Sequence, residues 1–84
     1  MNTTTIKDVK KILIEVLNLG EYGNELDANS ILLGGLTELD SMAVVSVIAK
    51  IEDHFGFTIA DDEINGQIFA TLGSLSTFVD GKLN

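Results

Sequence analysis

At 84 residues and without a cysteine, the chain is expected to form one domain, residues 1–84, stabilised by aliphatic packing, since neither a disulfide nor a thiolate metal site is open to it. Its 13 acidic residues against 5 lysines, with no arginine, give a net charge of −8 that repels phosphate backbones and anionic lipid, which argues against nucleic acid or a membrane surface as partner. No apolar run approaches the roughly 20 residues of a spanning helix, and Asp8 and Lys10 stand where a signal peptide needs an apolar stretch, so a cytoplasmic monomer is expected.

The first predicted element is an amphipathic helix over residues 6–17. Ile6, Val9, Leu13, Val16 and Leu17 fall on one face of a 3.6-residue period, and Lys7, Lys10, Lys11 and Glu15 occupy the rest. Thr5 is its expected cap, with Asp8 in a shortened capping box, and Gly20 lies just past its end. A long connection, residues 18–40, follows. A structureless loop of that length is uncommon in a compact domain, so Ile31, Leu32, Leu33, Leu36 and Leu39 are expected to pin it across a helix seam.

The second helix is predicted to begin at Asp40 or Ser41 and to run to Phe55 before Gly56. Val44, Ile48, Ile51 and Phe55 form its apolar face, and Ala43, Ser46, Lys50, Asp53 and His54 the opposite arc. Residues 57–59 are too short to found a sheet. The stretch DDEI, residues 61–64, reads as the acid-rich first turn of a short third helix, because carboxylates suit the positive end of a helix dipole. A last helix follows Thr71, burying Leu72, Leu75, Phe78 and Val79 and ending near Gly81. The fold class expected is all-α: a four-helix bundle with a long first loop and a short third helix.

The stretch LTELDSMAVV, residues 36–45, puts Asp40 and Ser41 at the junction between a polar lead-in and an apolar run. The plain reading is that Asp40 caps the helix and Ser41 opens it. As an enzyme nucleophile Ser41 would need a base within hydrogen-bond reach, yet His54 is the only histidine, and 13 positions along one helix separate the two by about 20 Å. A self-contained serine hydrolase is excluded, and the G-x-S-x-G elbow is missing. A phosphate attached to a serine in the first helical turn would instead lie beside free backbone N–H groups at the positive end of the helix.

The run LTELDSMAVVSVIAKIEDHFGFTIADDEI resembles the acyl carrier proteins and their peptidyl and polyketide carrier relatives, and the likeness extends over nearly the whole chain. In that family an Asp-Ser pair, usually followed by Leu, opens the second of four helices, and the serine receives 4′-phosphopantetheine from coenzyme A. Here the pair is Asp40-Ser41, followed by Met42, one flexible apolar side chain in place of another. The resemblance implies a protein that catalyses nothing itself. A phosphopantetheinyl transferase attaches the arm to Ser41, the arm supplies the thiol the chain lacks, and acyl groups loaded by a ligase or synthase travel as thioesters to downstream acyl-using enzymes.

The chain also departs from the pattern. Carriers of fatty-acid synthesis usually show acidic residues along the exposed face of the second helix, where this chain has Ala43, Ser46 and Lys50, so a specialised lipid, polyketide or related pathway is expected rather than a housekeeping synthase. Partner contacts are expected at Glu38, Asp40, Met42, Ala43, Ser46, Lys50, Asp61 and Asp62. By the same resemblance an acyl chain enters between the second and third helices near Ile48, Ile51, Ile59, Ile64 and Phe69, although each of these also fits plain core. Alternatives are an aminoacyl or peptidyl carrier and an unmodified helical adaptor. A calcium loop is a poor reading of DDEING, which lacks the register of an EF-hand. Tyr22 and His54 are read as a packed loop aromatic and a helix-end histidine, without a functional role.

Overall fold

The three strongest apolar periodicities become α-helices: α1, Thr3–Leu17; α2, Ser41–Phe55; and α3, Leu72–Leu83. In the computed structural model, which describes residues 3–36 and 38–83, α1 packs against both α2 and α3. The all-α class holds, and the short third helix is a single 3-10 turn, Asp61–Glu63. A second 3-10 segment, Gly20–Glu25, orders the start of the long connection. Among the described residues the only extended pairing is the isolated antiparallel bridge between Ile31 and Thr71.

One apolar cluster runs through the molecule. Helix α1 contributes Val9, Ile12, Leu13 and Leu17, α2 contributes Val47 and Ile51, and α3 contributes Leu72, Leu75 and Val79. Removing side chains of this size from water stabilises by about 1.5–3 kcal/mol each. On α2 Ile51 is fully buried as expected and Val44, Ile48 and Phe55 pack against the core partly buried, while Val47, outside the expected stripe, is fully buried as well.

The ends of α1 differ from expectation. Thr5 does not cap it. The helix already includes Thr3, and Thr5 is a buried third residue whose hydroxyl donates to Asp80 Oδ1 of α3 at 2.6 Å. Nor does Gly20 stop the helix. Asn18 takes the left-handed conformation, φ 56°, and the Leu19 N–H reaches back to the Ile14 carbonyl at 3.1 Å, closing the last turn as a six-to-one bond.

The long connection is ordered by backbone pairing as well as by its leucines. Leu32 and Leu33 N–H groups donate to the carbonyls of Ala70 and Phe69, and those of Leu72 and Gly73 return to Ser30 and Ala28. Gly73 has to be glycine, because a Cβ there would stand 2.7 Å from the Ala28 carbonyl oxygen. Leu32, Leu36 and Leu39 are buried as expected, whereas Ile31 and Leu33 are exposed: in an extended stretch alternate residues face opposite sides, and Leu32 takes the inward one.

Side-chain bonds attach the remaining irregular segment. The Glu52 carboxylate accepts the Ile59 N–H at 2.7 Å, holding residues 57–60 against α2. Glu63 accepts the Ala60 N–H at 2.8 Å, one half of a capping box, and both its oxygens meet Lys82 Nζ of α3 at 2.8 and 2.9 Å. The hydrogen bond from Lys82, followed by that from Ala60, holds the Glu63 pKa below its ordinary value. His54 Nε2 lies 3.6 Å from Asp8 Oδ2, between α2 and α1, and Tyr22 is half exposed.

A carboxylate whose pKa falls on folding contributes stability above its unfolded-state pKa and loses it as pH falls through the lower folded value. Lys82→Met should therefore lower the melting temperature at pH 7 and narrow its gap to the wild type as pH falls below the ordinary Glu range. Thermal melts of both proteins between pH 7 and about pH 3 measure this.

Candidate functional site

The Asp40-Ser41 junction is built from its neighbours outward. Leu39 is buried and its N–H bonds the Leu36 carbonyl at 3.1 Å, so the chain arrives at the helix already anchored. Asp40 then takes an extended backbone conformation, and its Oδ1 accepts the Ala43 N–H at 2.8 Å while its carbonyl accepts the Val44 N–H at 2.9 Å. This is an N-cap in the full sense, and it makes Ser41 the first helical residue. Leu39 before the cap and Val44 four positions after it belong to the same apolar cluster, the pattern of a hydrophobic staple that sets the entry angle. Gly56, with φ 76°, closes the helix at the other end.

Ser41 is exposed, and its hydroxyl has no hydrogen-bond partner among the described residues. Asp40 takes the Ala43 N–H and its carbonyl the Val44 N–H, which leaves the N–H groups of Ser41 and Met42 without intrahelical acceptors at the end of α2 that carries Ser41. A phosphodiester on Ser41 fits there, supported by those N–H groups and by the helix dipole. His54, the only histidine, lies at the far end of the same helix beside Asp8, away from Ser41.

The other expected residues fall into groups. Glu38, Asp40, Met42, Ser46 and Lys50 are exposed on or just before α2, Ala43 is half-buried, and Asp61 and Asp62 are exposed on the 3-10 turn. Met42 and Val45 are 78% and 67% exposed, and with Ala49 they form an uncharged stripe at spacings of three and four. Of the five residues expected around an acyl chain, Ile48, Ile59 and Ile64 line a cleft of about 210 Å³ between α2 and the 3-10 turn. Ile51 and Phe69 do not reach it, being buried in the core at 0% and 3% exposure.

Val45, Ala49, Glu52 and Asp61 complete the cleft. Sequence reasoning had assigned none of these four to a pocket, yet a signal was there. Ser41, Val45, Ile48 and Glu52 stand at positions i, i+4, i+7 and i+11, one lengthwise stripe of α2 with Ser41 at its top. No described helix is long and apolar enough to cross a membrane, and among the described residues no group of three or more His, Asp or Glu side chains is arranged to hold a metal ion.

Comparison with known proteins agrees with this geometry. The family described as phosphopantetheine attachment site matches residues 7–79. The solution NMR structure of a holo acyl carrier protein from Nitrosomonas europaea is similar to the chain, with a TM-score of 0.88 and 55% sequence identity over 93% of this chain and 94% of that one. Among curated proteins no sequence match was found. The chain belongs to the phosphopantetheine attachment site family, that of the acyl carrier proteins and their relatives, and its prosthetic group is covalently bound 4′-phosphopantetheine.

Asp40→Ala should cost about 1 kcal/mol of stability by leaving the Ala43 N–H without its acceptor, and Asp40→Asn should retain most of it. Urea denaturation of the three proteins measures the difference.

Proposed function

We propose that the chain is the acyl carrier of a specialised pathway, with Ser41 as the residue that bears the arm. The observation that carries this reading is the Ser41 hydroxyl itself, exposed in the first turn of a helix whose opposite side is buried in the core. In this reading a phosphopantetheinyl transferase joins Ser41 Oγ to the phosphopantetheine half of coenzyme A, forming a phosphodiester as the nucleotide half leaves. The thiol of the arm then carries acyl groups as thioesters. The chain contributes position rather than catalysis: Asp40 sets the helix start, Ser41 presents the oxygen, and Met42 offers an apolar contact beside it.

The cleft under Ser41 is the proposed place for the acyl group, with Ile48, Ile59 and Ile64 as its apolar wall. Partner enzymes have to approach the arm over α2. The strip they meet is Met42, Val45, Ser46 and Ala49, with Ala43 and Lys50 beside it, and the acids Glu38, Asp40, Asp61 and Asp62 lie at its edges. An uncharged strip of this kind favours enzymes that dock through apolar contact, and this supports a pathway other than housekeeping fatty-acid synthesis.

Incubation of the purified protein with coenzyme A and a broad-range transferase should add the mass of one phosphopantetheine to the wild type and none to Ser41→Ala. No gain in the wild type, or an equal gain in the variant, overturns the assignment. If docking is apolar, the KM of arm transfer should change by less than about twofold between low and physiological salt, where a charge-steered partner would weaken steeply. A steep rise in KM would return the docking role to the flanking acids.

A further inference from the structure

Asn18, Asn24 and Asn29 are followed by Leu19, Glu25 and Ser30, whereas Asn65 is followed by Gly66. With no Cβ on the next residue, nothing shields the backbone nitrogen that follows the Asn65 carboxamide. The structure leaves this pair open. Asn65, Gly66 and Gln67 are exposed, in the turn that leads from the cleft wall at Ile64 towards α3. The Gly66 N–H has no hydrogen-bond partner among the described residues. The Asn65 carboxamide is held by one atom only: Oδ1 accepts the Gln67 N–H at 2.9 Å and the Ile68 N–H at 3.1 Å, while Nδ2 is unbound. Two N–H donors on Oδ1 support the charge that develops on that oxygen when Cγ is attacked. An unshielded nitrogen, a polarised carbonyl and an unheld leaving group thus stand on adjacent residues.

We propose that Asn65-Gly66 is a self-modification site, at which the chain closes a succinimide ring and reopens to aspartate and isoaspartate. In the first step the Gly66 nitrogen gives its proton to a solvent base and bonds to Asn65 Cγ. The Cγ–Nδ2 bond breaks, and Nδ2 takes a proton and leaves as ammonia. One water then opens the ring, with no oxidant or reductant involved. Attack at Cγ restores the original main chain with an aspartate side chain. Attack at the Asn65 main-chain carbonyl carbon breaks its bond to the Gly66 nitrogen instead, so that the chain runs through Cβ and Cγ, one carbon longer, and the freed carboxylate hangs beside it. This site is independent of the assignment of Ser41.

The two products differ in their effect on the fold. Aspartate keeps an acceptor oxygen for the Gln67 and Ile68 N–H groups. In isoaspartate that oxygen becomes a carbonyl of the lengthened main chain, and the turn loses the side-chain acceptor that shaped it. The carbonyls that follow are structural. That of Ile68 accepts the Ser74 hydroxyl at 2.8 Å, and those of Phe69 and Ala70 accept the Leu33 and Leu32 N–H groups at 2.9 Å each. An extra carbon just before them acts on the tie between the long connection and the chain entering α3.

The test ages purified wild type and Gly66→Ala side by side in mildly alkaline buffer. The substitution is mild, because Gly66 is not left-handed and a Cβ there meets only Leu33 Cδ2, at 3.8 Å. Peptide mass mapping follows conversion of each asparagine, and an isoaspartyl methyltransferase counts the isoaspartate. Asn65 should convert about tenfold faster than Asn29, and Gly66→Ala should slow it about tenfold. The isoaspartyl fraction, separated by chromatography, should then exchange the Leu32 and Leu33 amide hydrogens about fivefold faster than wild type, while Asn65→Asp stays close to wild type. Intact Asn65, conversion at Asn29 as fast as at Asn65, an equal rate in Gly66→Ala, or unchanged exchange at Leu32 and Leu33 in the isoaspartyl form overturns the proposal.

Discussion

The organising constraint is that α2 has to bury Val47 and Ile51 completely while its first turn stays outside. Both conditions are met because the helix start is fixed from two directions. Leu39 is drawn into the core immediately before the cap, and the Asp40 carboxylate closes on the Ala43 N–H immediately after it. A buried residue, a capping residue and an exposed serine in succession leave little freedom for Ser41 to sit anywhere but the first helical position. Had the helix begun one residue later, Ser41 would itself be the capping residue, its hydroxyl drawn onto the N–H groups of the first turn instead of left free.

The long connection serves the same end. Its leucines alone would leave the backbone polar groups of residues 28–33 to be satisfied by water, and a loop held only by apolar contacts has no defined register. The four backbone bonds to residues 69–73 give it one, tying the chain that enters α2 to the chain that enters α3. Glu52 and Glu63 repeat this device on the other side, each using a carboxylate to fix a backbone N–H, of Ile59 and of Ala60. The irregular segment between α2 and α3 is therefore tied to α2 at Ile59 and to α3 through Glu63 and Lys82, and the cleft between it and α2 has defined walls.

How much of this could be read from the residues depended on whether the signal was local. Asp40 and Gly56 bracket α2 with caps whose chemistry is complete within four residues, and both ends of that helix were legible. Thr5 misled because a threonine near a helix start looks like a cap whether or not it is one. Its actual partner, Asp80, is 75 positions away and leaves no trace in local pattern. Asn18 was overlooked as a stop because glycine is the commoner left-handed residue and Gly20 stood two places on. The same distinction divides the site. Ser41 and its cap are a contiguous motif, and their placement was readable. The wall of the cleft is made by residues 59–64 folding back on α2, so Ile51 and Phe69 looked as suitable for it as Ile59 and Ile64 until the backbone path was known.

One structural role and two proposed ones share the 15 residues of α2, and helical periodicity separates them. Val47 and Ile51 face the core. Met42, Val45 and Ala49 face outward, on the side proposed for enzyme docking. Ser41, Ile48 and Glu52 lie between these two, along the edge that overlooks the cleft, and Val45 borders both the outer face and the edge. Because the stripes are offset by rotation rather than by distance, the buried face, the proposed docking face and the edge along the proposed cargo cleft do not compete for the same positions. The division also carries a restriction. Residues on the edge touch both the core side and the solvent side, so a substitution that enlarges the cleft at Ile48 also loosens the packing beneath it, and cleft size is tied to fold stability. The far side of the cleft is freer, since Asp61 and Ile64 are held by a single 3-10 turn and by the Glu63–Lys82 bond. Variation in what such a chain carries is therefore expected to concentrate in residues 60–66, while α2 keeps the pattern that positions Ser41.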